Sequence, residues 1–291
     1  MSASKVATFK MFRDYELSDG GSLTAVTHNG RHMTLVTCSG ECLGAGWDVC
    51  KAVNFQEDRR SCVLLSEQRS ATNTVVQTAG TTYLEASIAP QSCLDWNRVY
   101  GSTVSGSHVI DPDGPYTGLD PFPVYCDFQE NPPVAKIYHN KASVTVDGYE
   151  PNASFQTDVV YELSMAQMLS VINASTSCKQ YLKVRCIGTY FFGSLTEAGH
   201  NIYWSSRDGE RMLYWGGGNP NGWGCACALD NTCVSSNLGL CNCNTNDGNW
   251  REDEGYVTDT SKLPVSQLHG GDTGSSGEEI HFTVGPLECV L

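Results

Sequence analysis

CSGECLGAGWDVCKAVNFQEDRRSC, Cys38 to Cys62, holds four of the chain's 14 cysteines in one short stretch. Cys38 and Cys42 are four positions apart, one helical turn, so both thiols can leave a single face of a short helix. After Cys50, KAVNF alternates as a half-buried strand does, EDRR reads as an exposed turn, and CVLL returns as a second apolar strand. The implied unit is a helix stapled to a hairpin. Local sequence leaves two other readings open: a disulfide-rich loop without regular structure, and a zinc site, which needs thiolates kept reduced.

Composition narrows these readings. Fourteen cysteines among abundant Gly, Asn, Ser and Thr, with few lysines, describe an oxidised extracellular protein held by disulfides. The triplets Asn152-Ala-Ser154 and Asn173-Ala-Ser175 are glycosylation acceptors that fit the same compartment. Lys plus Arg total 18 against 32 Asp plus Glu, a formal net charge of −14. That balance argues against nucleic acid, whose binding rests on clustered cations. No window approaches the roughly 18 to 20 apolar residues of a membrane span. The opening MSASKVATFKMFRDYELSDGG has no continuous apolar region and does not read as a signal peptide. The expected location is therefore extracellular, as a secreted chain or as the ectodomain of a longer one. A length of 291 residues predicts two cores.

The first stretch also carries a resemblance. Cys-x3-Cys, then Cys-x-Ala-x-x-Phe and a last Cys followed closely by Leu-Leu-Ser, is similar to the PAN/apple module. That resemblance implies an outer bridge, Cys38 with Cys62, and an inner one, Cys42 with Cys50. It also implies flanking strands from Phe9 to Val36 and from Thr74 to Ala86, and a module that binds proteins or glycans without catalysis.

Beyond the small, polar LEASIAPQS the pattern changes. Ser92-Cys93, the turn IDPDG at 110–114 and PFPVYCD at 121–127 resemble the opening of fibrinogen-like domains, which implies a bridge between Cys93 and Cys126. Further on, Ser164 and Gln167 have capping-box spacing, and Met165, Met168, Leu169 and Ile172 follow on one helical face as core. CKQYLKVRC alternates as a strand. An extended segment would hold Cys178 and Cys186 about 25 Å apart, against a disulfide limit near ~7 Å, so they do not pair with each other. YWGGGNP, CACALDNTC, CNCNTNDGNW, a Leu-Pro, a D-T-G and the closing VGPLEC together resemble the fibrinogen-like region of contactin-associated proteins of the neurexin IV type. The opening hairpin and the closing Gly-Pro-x-x-Cys are distantly similar to fibrillar collagen C-propeptides. The pairing of Cys178, Cys186, Cys225, Cys227, Cys233, Cys241, Cys243 and Cys289 stays open.

Three kinds of site chemistry follow. Asp111, Asp113 and Asp120 match an acidic calcium-binding turn of the collagen relatives, so Ca2+ is the candidate cofactor. CNCNTNDGNW reads as a doubly stapled loop: the single residue between its cysteines is too tight for common zinc spacing, and Cys243 and Thr245 fall where an EF-hand needs oxygen ligands. DTGS at 272–275 is one copy of a motif that aspartic proteases need twice. No nucleophile elbow, H-E-x-x-H or Walker loop is present, and the chain is not read as an enzyme. Exposed aromatics and the polar groups of the amide-rich turn, Trp215, Trp223, Asn244, Asp247 and Trp250, are the candidate ligand contacts.

The sequence thus predicts an α+β, disulfide-rich, two-domain extracellular protein, PAN/apple-like over residues 1–90 and fibrinogen-like over 91–291. Its expected role is adhesion or recognition of an extracellular protein or glycan. The alternatives are a secreted saccharide-binding lectin and a matrix assembly domain that forms a homo-oligomer.

Overall fold

The computed structural model describes residues 8–18, 23–24, 34–45, 50, 52–65, 74–87, 89–114, 118–192, 200–234 and 240–291. The chain forms two compact units, with the main boundary between Ala89 and Pro90.

In the first unit, β1 (Thr8–Ser18), β2 (Leu23–Thr24), β3 (Ala52–Gln56), β4 (Ser61–Leu65) and β5 (Thr74–Ser87) make an antiparallel sheet in the order β1-β5-β3-β4-β2. The KAVNF and CVLL segments are the β3 and β4 hairpin, joined by the exposed turn at 57–60. Helix α1 (Leu35–Ala45) begins at Thr34, whose hydroxyl accepts the Thr37 N–H at 3.2 Å, so a Thr side chain satisfies a first-turn donor. One turn of spacing puts Cys38 and Cys42 on the same inward face, both fully buried. Cys38 bonds Cys62 on β4, and Cys42 bonds Cys50 just before β3. With Val53, Phe55, Leu64 and Leu84 these sulfurs are the core of a unit otherwise short of apolar mass.

The second unit is built on a seven-stranded antiparallel sheet. Its strands β14 (Arg251–Val257), β11 (Ser177–Ile187), β16 (Glu279–Val290), β8 (Val134–Ile137), β7 (Phe122–Asp127) and β6 (Gly106–Ile110) run in that order, and β9 (Ser143–Val146) pairs with β16. A second sheet joins β10 (Phe155–Asp158), β15 (Gln267–Gly270), β12 (Tyr203–Ser205) and β13 (Arg211–Met212). Strand β11 shows why the sequence folds so: Cys178, Gln180, Leu182, Val184 and Cys186 are buried while the residues between them face outward. The core gathers Leu182, Val184, Ile280, Phe282, Trp204 and Trp215.

Two helices complete it. SCLDWNRVY, whose cysteine the sequence offers only as a bridge partner, forms α2 (Cys93–Tyr100), capped by Ser92 and ended by the left-handed Gly101. Cys93 bonds Cys126 on β7. The capping box of Ser164 and Gln167 opens α3 (Met165–Ala174). Its inward stripe is Met168, Val171 and Ile172, whereas Met165, in the predicted stripe, is 38% exposed at the first turn. Positions 168, 171 and 172 keep the i, i+3, i+4 rule with the face turned slightly from the one expected.

Among the described residues no helix is long and apolar enough to cross a membrane.

Candidate functional site

The loop-rich end of the second unit is organised by CNCNTNDGNW. Two short 3-10 turns, Ala226–Ala228 and Asn242–Thr245, lie beside three disulfides: Cys225 with Cys241, Cys227 with Cys233, and Cys186 with Cys243. The fourth bridge of this unit's C-terminal eight cysteines joins Cys178 to Cys289. All fourteen cysteines are paired.

A buried carboxylate holds the second turn. Asp253 on β14 is 4% exposed and accepts the backbone N–H of Asn242 on one oxygen and of Cys243 on the other, both at 3.0 Å. These are the free donors at the start of a turn, so a fixed negative charge there is a cap from a distance. Burial pushes the Asp253 carboxyl above its ordinary value, partly offset by those two donors. Nothing local singles this residue out, since an acid in REDEGYV looks like any acid on an exposed strand. Its only signal is phase: Asp253 shares the inward face with Val257, while Glu252 and Glu254 point outward.

The predicted contacts separate into buried and exposed. Trp215 is 1% exposed, packed against Phe191 and Phe282, and belongs to the core. Asn244 is 3% exposed, and its side-chain oxygen accepts the N–H groups of Phe191 and Phe192 at 3.1 and 3.3 Å. Neither residue can present a surface; a large ring and an amide that satisfies neighbouring backbone are both drawn inward. Trp223 is half-buried against Phe192 and His200. Asp247 is bidentate to Arg251, at 2.6 and 3.2 Å, and that guanidinium brings its carboxyl down to about 2.

Trp250 alone of the predicted tryptophans is classed as exposed, at 39%. The Arg185 guanidinium lies 4.9 Å above its ring and the His281 ring 4.9 Å from it. His281 in turn contacts Glu279 at 2.5 Å. The result is a fixed aromatic flanked by a cation and an imidazole on the outer face of the large sheet.

The acidic turn is arranged differently from a calcium cage. Asp111 turns inward at 3% exposure, while Asp113 and Asp120 face solvent. The Asp113 carboxylate accepts the Leu119 N–H at 2.7 Å and so closes its own loop. Among the described residues the only group of three ligand atoms within 4.8 Å of one another is Cys225, Cys241 and Asp253. Cys225 and Cys241 are bonded to each other, so that group offers no thiolate.

The sequon residues Asn152 and Asn173 are both exposed, the second on the last turn of α3. In the D-T-G turn, Asp272 holds a left-handed φ of 58°, with one carboxylate oxygen buried and unpartnered. Burial, then the nearby Glu278 and Glu150, push its carboxyl up to about 6.

The YWGGGNP motif acts through its backbone. A side chain at Gly216 would lie 2.3 Å from the Gly255 carbonyl oxygen, and the Gly217 N–H donates to the Tyr256 carbonyl at 2.9 Å. The glycines therefore let the loop lie directly on β14.

Comparison with known proteins agrees with the geometry of the first unit: the PAN domain family matches residues 8–88. Residues 8–88 are a PAN domain. The similarity to curated proteins reaches beyond that PAN domain. Human contactin-associated protein 1 is 36% identical over 202 residues, 68% of this chain and 14% of that protein. Its mouse counterpart is 36% identical over 188 residues, 64% of this chain and 13% of that protein. Drosophila melanogaster neurexin-4 is 33% identical over 209 residues, 69% of this chain and 16% of that protein. An alignment of 202 residues cannot fit within the PAN unit, so it runs largely through the second. The chain spans only a small part of these relatives' length.

Proposed function

We propose that the chain is an extracellular recognition module, part of adhesion, that binds a protein partner without chemistry of its own. The observation that carries this reading is the pairing of all fourteen cysteines, which needs an oxidising compartment. Relatives named for association with another protein, contactin, support a protein as the partner. Interfaces take most of their energy from a few anchors, often Trp and Arg. Trp250 with Arg185 is such a pair, already held in place and so inexpensive to order on binding. Calcium has no part in this reading, because Asp111 is buried while Asp113 and Asp120 face solvent.

The test is capture of a contactin ectodomain, the partner type named by the human relative, on the immobilised chain. Trp250→Ala and Arg185→Ala are expected to weaken binding about tenfold or more each, with folding intact. Binding that is absent, or unaltered in both variants, would sink the proposal.

A further inference from the structure

At the Cys178–Cys289 end of the large sheet a cleft of about 430 Å³ opens between the start of β11, the end of β16 and the segment after β14. Its size lies within the roughly 300–1,000 Å³ of small-molecule sites. Four hydroxyl residues line its walls: Thr176 and Ser177 at the start of β11, Thr258 and Thr260 after β14. The Thr176 hydroxyl donates to the Val290 carbonyl at 3.0 Å, which fixes it and leaves its oxygen free to accept. The hydroxyls of Ser177, Thr258 and Thr260 engage no other group among the described residues.

One acid and one base complete the lining. The Glu288 carboxylate stands 3.4 Å from Lys179 and 3.9 Å from Lys136. Both distances exceed the roughly 2.7–2.9 Å of a charge-assisted bond, so acceptor and donor capacity remain on each side. Lys179 is steadied by the Tyr256 ring, 4.5 Å below its ammonium. Charge cancels locally, since Lys136 also holds Asp127 at 2.8 Å and Lys179 faces Glu288. Val134, Val290 and the disulfide supply apolar floor. The floor is rigid, because the bridge joins directly paired residues of β11 and β16, and the Thr176 N–H also donates to Val290.

We propose that this cleft binds a neutral, hydroxyl-rich saccharide. Sugar hydroxyls both donate and accept, and the cleft offers matching hydroxyls, one carboxylate and one ammonium at unfilled distances. Apolar floor suits the C–H face of a pyranose ring. A locally neutral lining on a chain of net charge −14 disfavours sulfated or sialylated ligands. The site is separate from the Trp250 surface, and its existence does not depend on the protein partner proposed there.

Saturation-transfer NMR on the full chain tests it, with methyl glycosides of glucose, galactose, mannose and N-acetylglucosamine, and with sialyllactose and a heparin disaccharide as acidic comparators. At least one neutral glycoside is expected to bind. The Thr258→Val/Thr260→Val double variant, altering exposed positions, is expected to lose about tenfold or more in affinity at an unchanged melting temperature. Trp250→Ala is expected to bind the glycoside as the parent does. Binding of none of the neutral probes, preference for the acidic ones, or equal affinity in the double variant overturns the assignment. Contactin capture by the double variant reads the other proposal separately.

Discussion

The carboxylate of Asp253 reaches back ten residues along the chain to accept the backbone N–H of Cys243 at 3.0 Å. Its other oxygen takes the Asn242 N–H, so one buried side chain closes the turn between two disulfides. Asp253→Asn keeps the shape but turns an amide nitrogen toward one of these donors. The expected loss is about 1–3 kcal/mol, the range for a buried group left unsatisfied. Urea unfolding measures it; a variant as stable as the parent would show that Asp253 is not the cap.

His269 and Asp272 should act in opposite directions as pH falls. His269 stacks on Tyr203 at 4.1 Å, and burial, with Arg211 second, holds its pKa down to about 4. The unfolded chain protonates this histidine near ~6.5 while the fold does not, so acid removes stability until about pH 4. Asp272 binds its proton in the fold from about 6 downward, before the unfolded chain does near ~3.9, so acid adds stability over the same window. Asp272→Asn deletes the second effect and suits a left-handed position. It is expected to be more stable than the parent at pH 7.5, by about 1 kcal/mol after solvent screening. It should also lose stability more steeply between pH 6.5 and 4. Thermal melts across this range decide, and parallel profiles would refute the assignment.

Gly216→Ala places a methyl group 2.3 Å from the Gly255 carbonyl oxygen, a backbone atom that cannot swing aside. Overpacking against backbone is expected to cost about 3 kcal/mol or more, beyond ordinary core substitutions. Gly248→Ala meets nothing within 4 Å and serves as the control. Circular dichroism melts should separate the two clearly.

The bridge between Cys178 and Cys289 spans 111 residues, and that between Cys227 and Cys233 spans 6. Loop entropy in the unfolded chain grows with the span, so the two bridges should differ in worth. Replacing both cysteines of the long bridge by Ala is expected to cost about 2–5 kcal/mol, and those of the short bridge less. Denaturant midpoints of the two double variants provide the comparison, and the reverse order would mean that native-state strain outweighs the entropy.

Local pattern was enough for several elements. The i, i+4 pair of Cys38 and Cys42, the alternation of Cys178 to Cys186 and the cap at Ser164 each express a backbone period, and a period is visible in sequence wherever one face is buried. Helix α2 is not legible in the same way because it is only eight residues long, too short to repeat a helical period, and its ends are marked only by Ser92 and Gly101. The acidic turn was legible as a turn, but not the directions in which Asp111 and Asp113 point.

By itself the sequence determined the oxidised, disulfide-bonded character of the chain, its PAN stretch and the strands and helix whose burial has a regular period. Tertiary structure alone decided that Trp215 lies inside and Trp250 outside, that Asn244 serves the backbone of Phe191, and that Cys186 meets Cys243. It also decided that hydroxyls from β11 and from the segment after β14 share one cleft. The reason is physical: whether a ring, amide or hydroxyl is buried depends on which distant layer covers it, and strand pairing across a hundred residues leaves no local periodic trace.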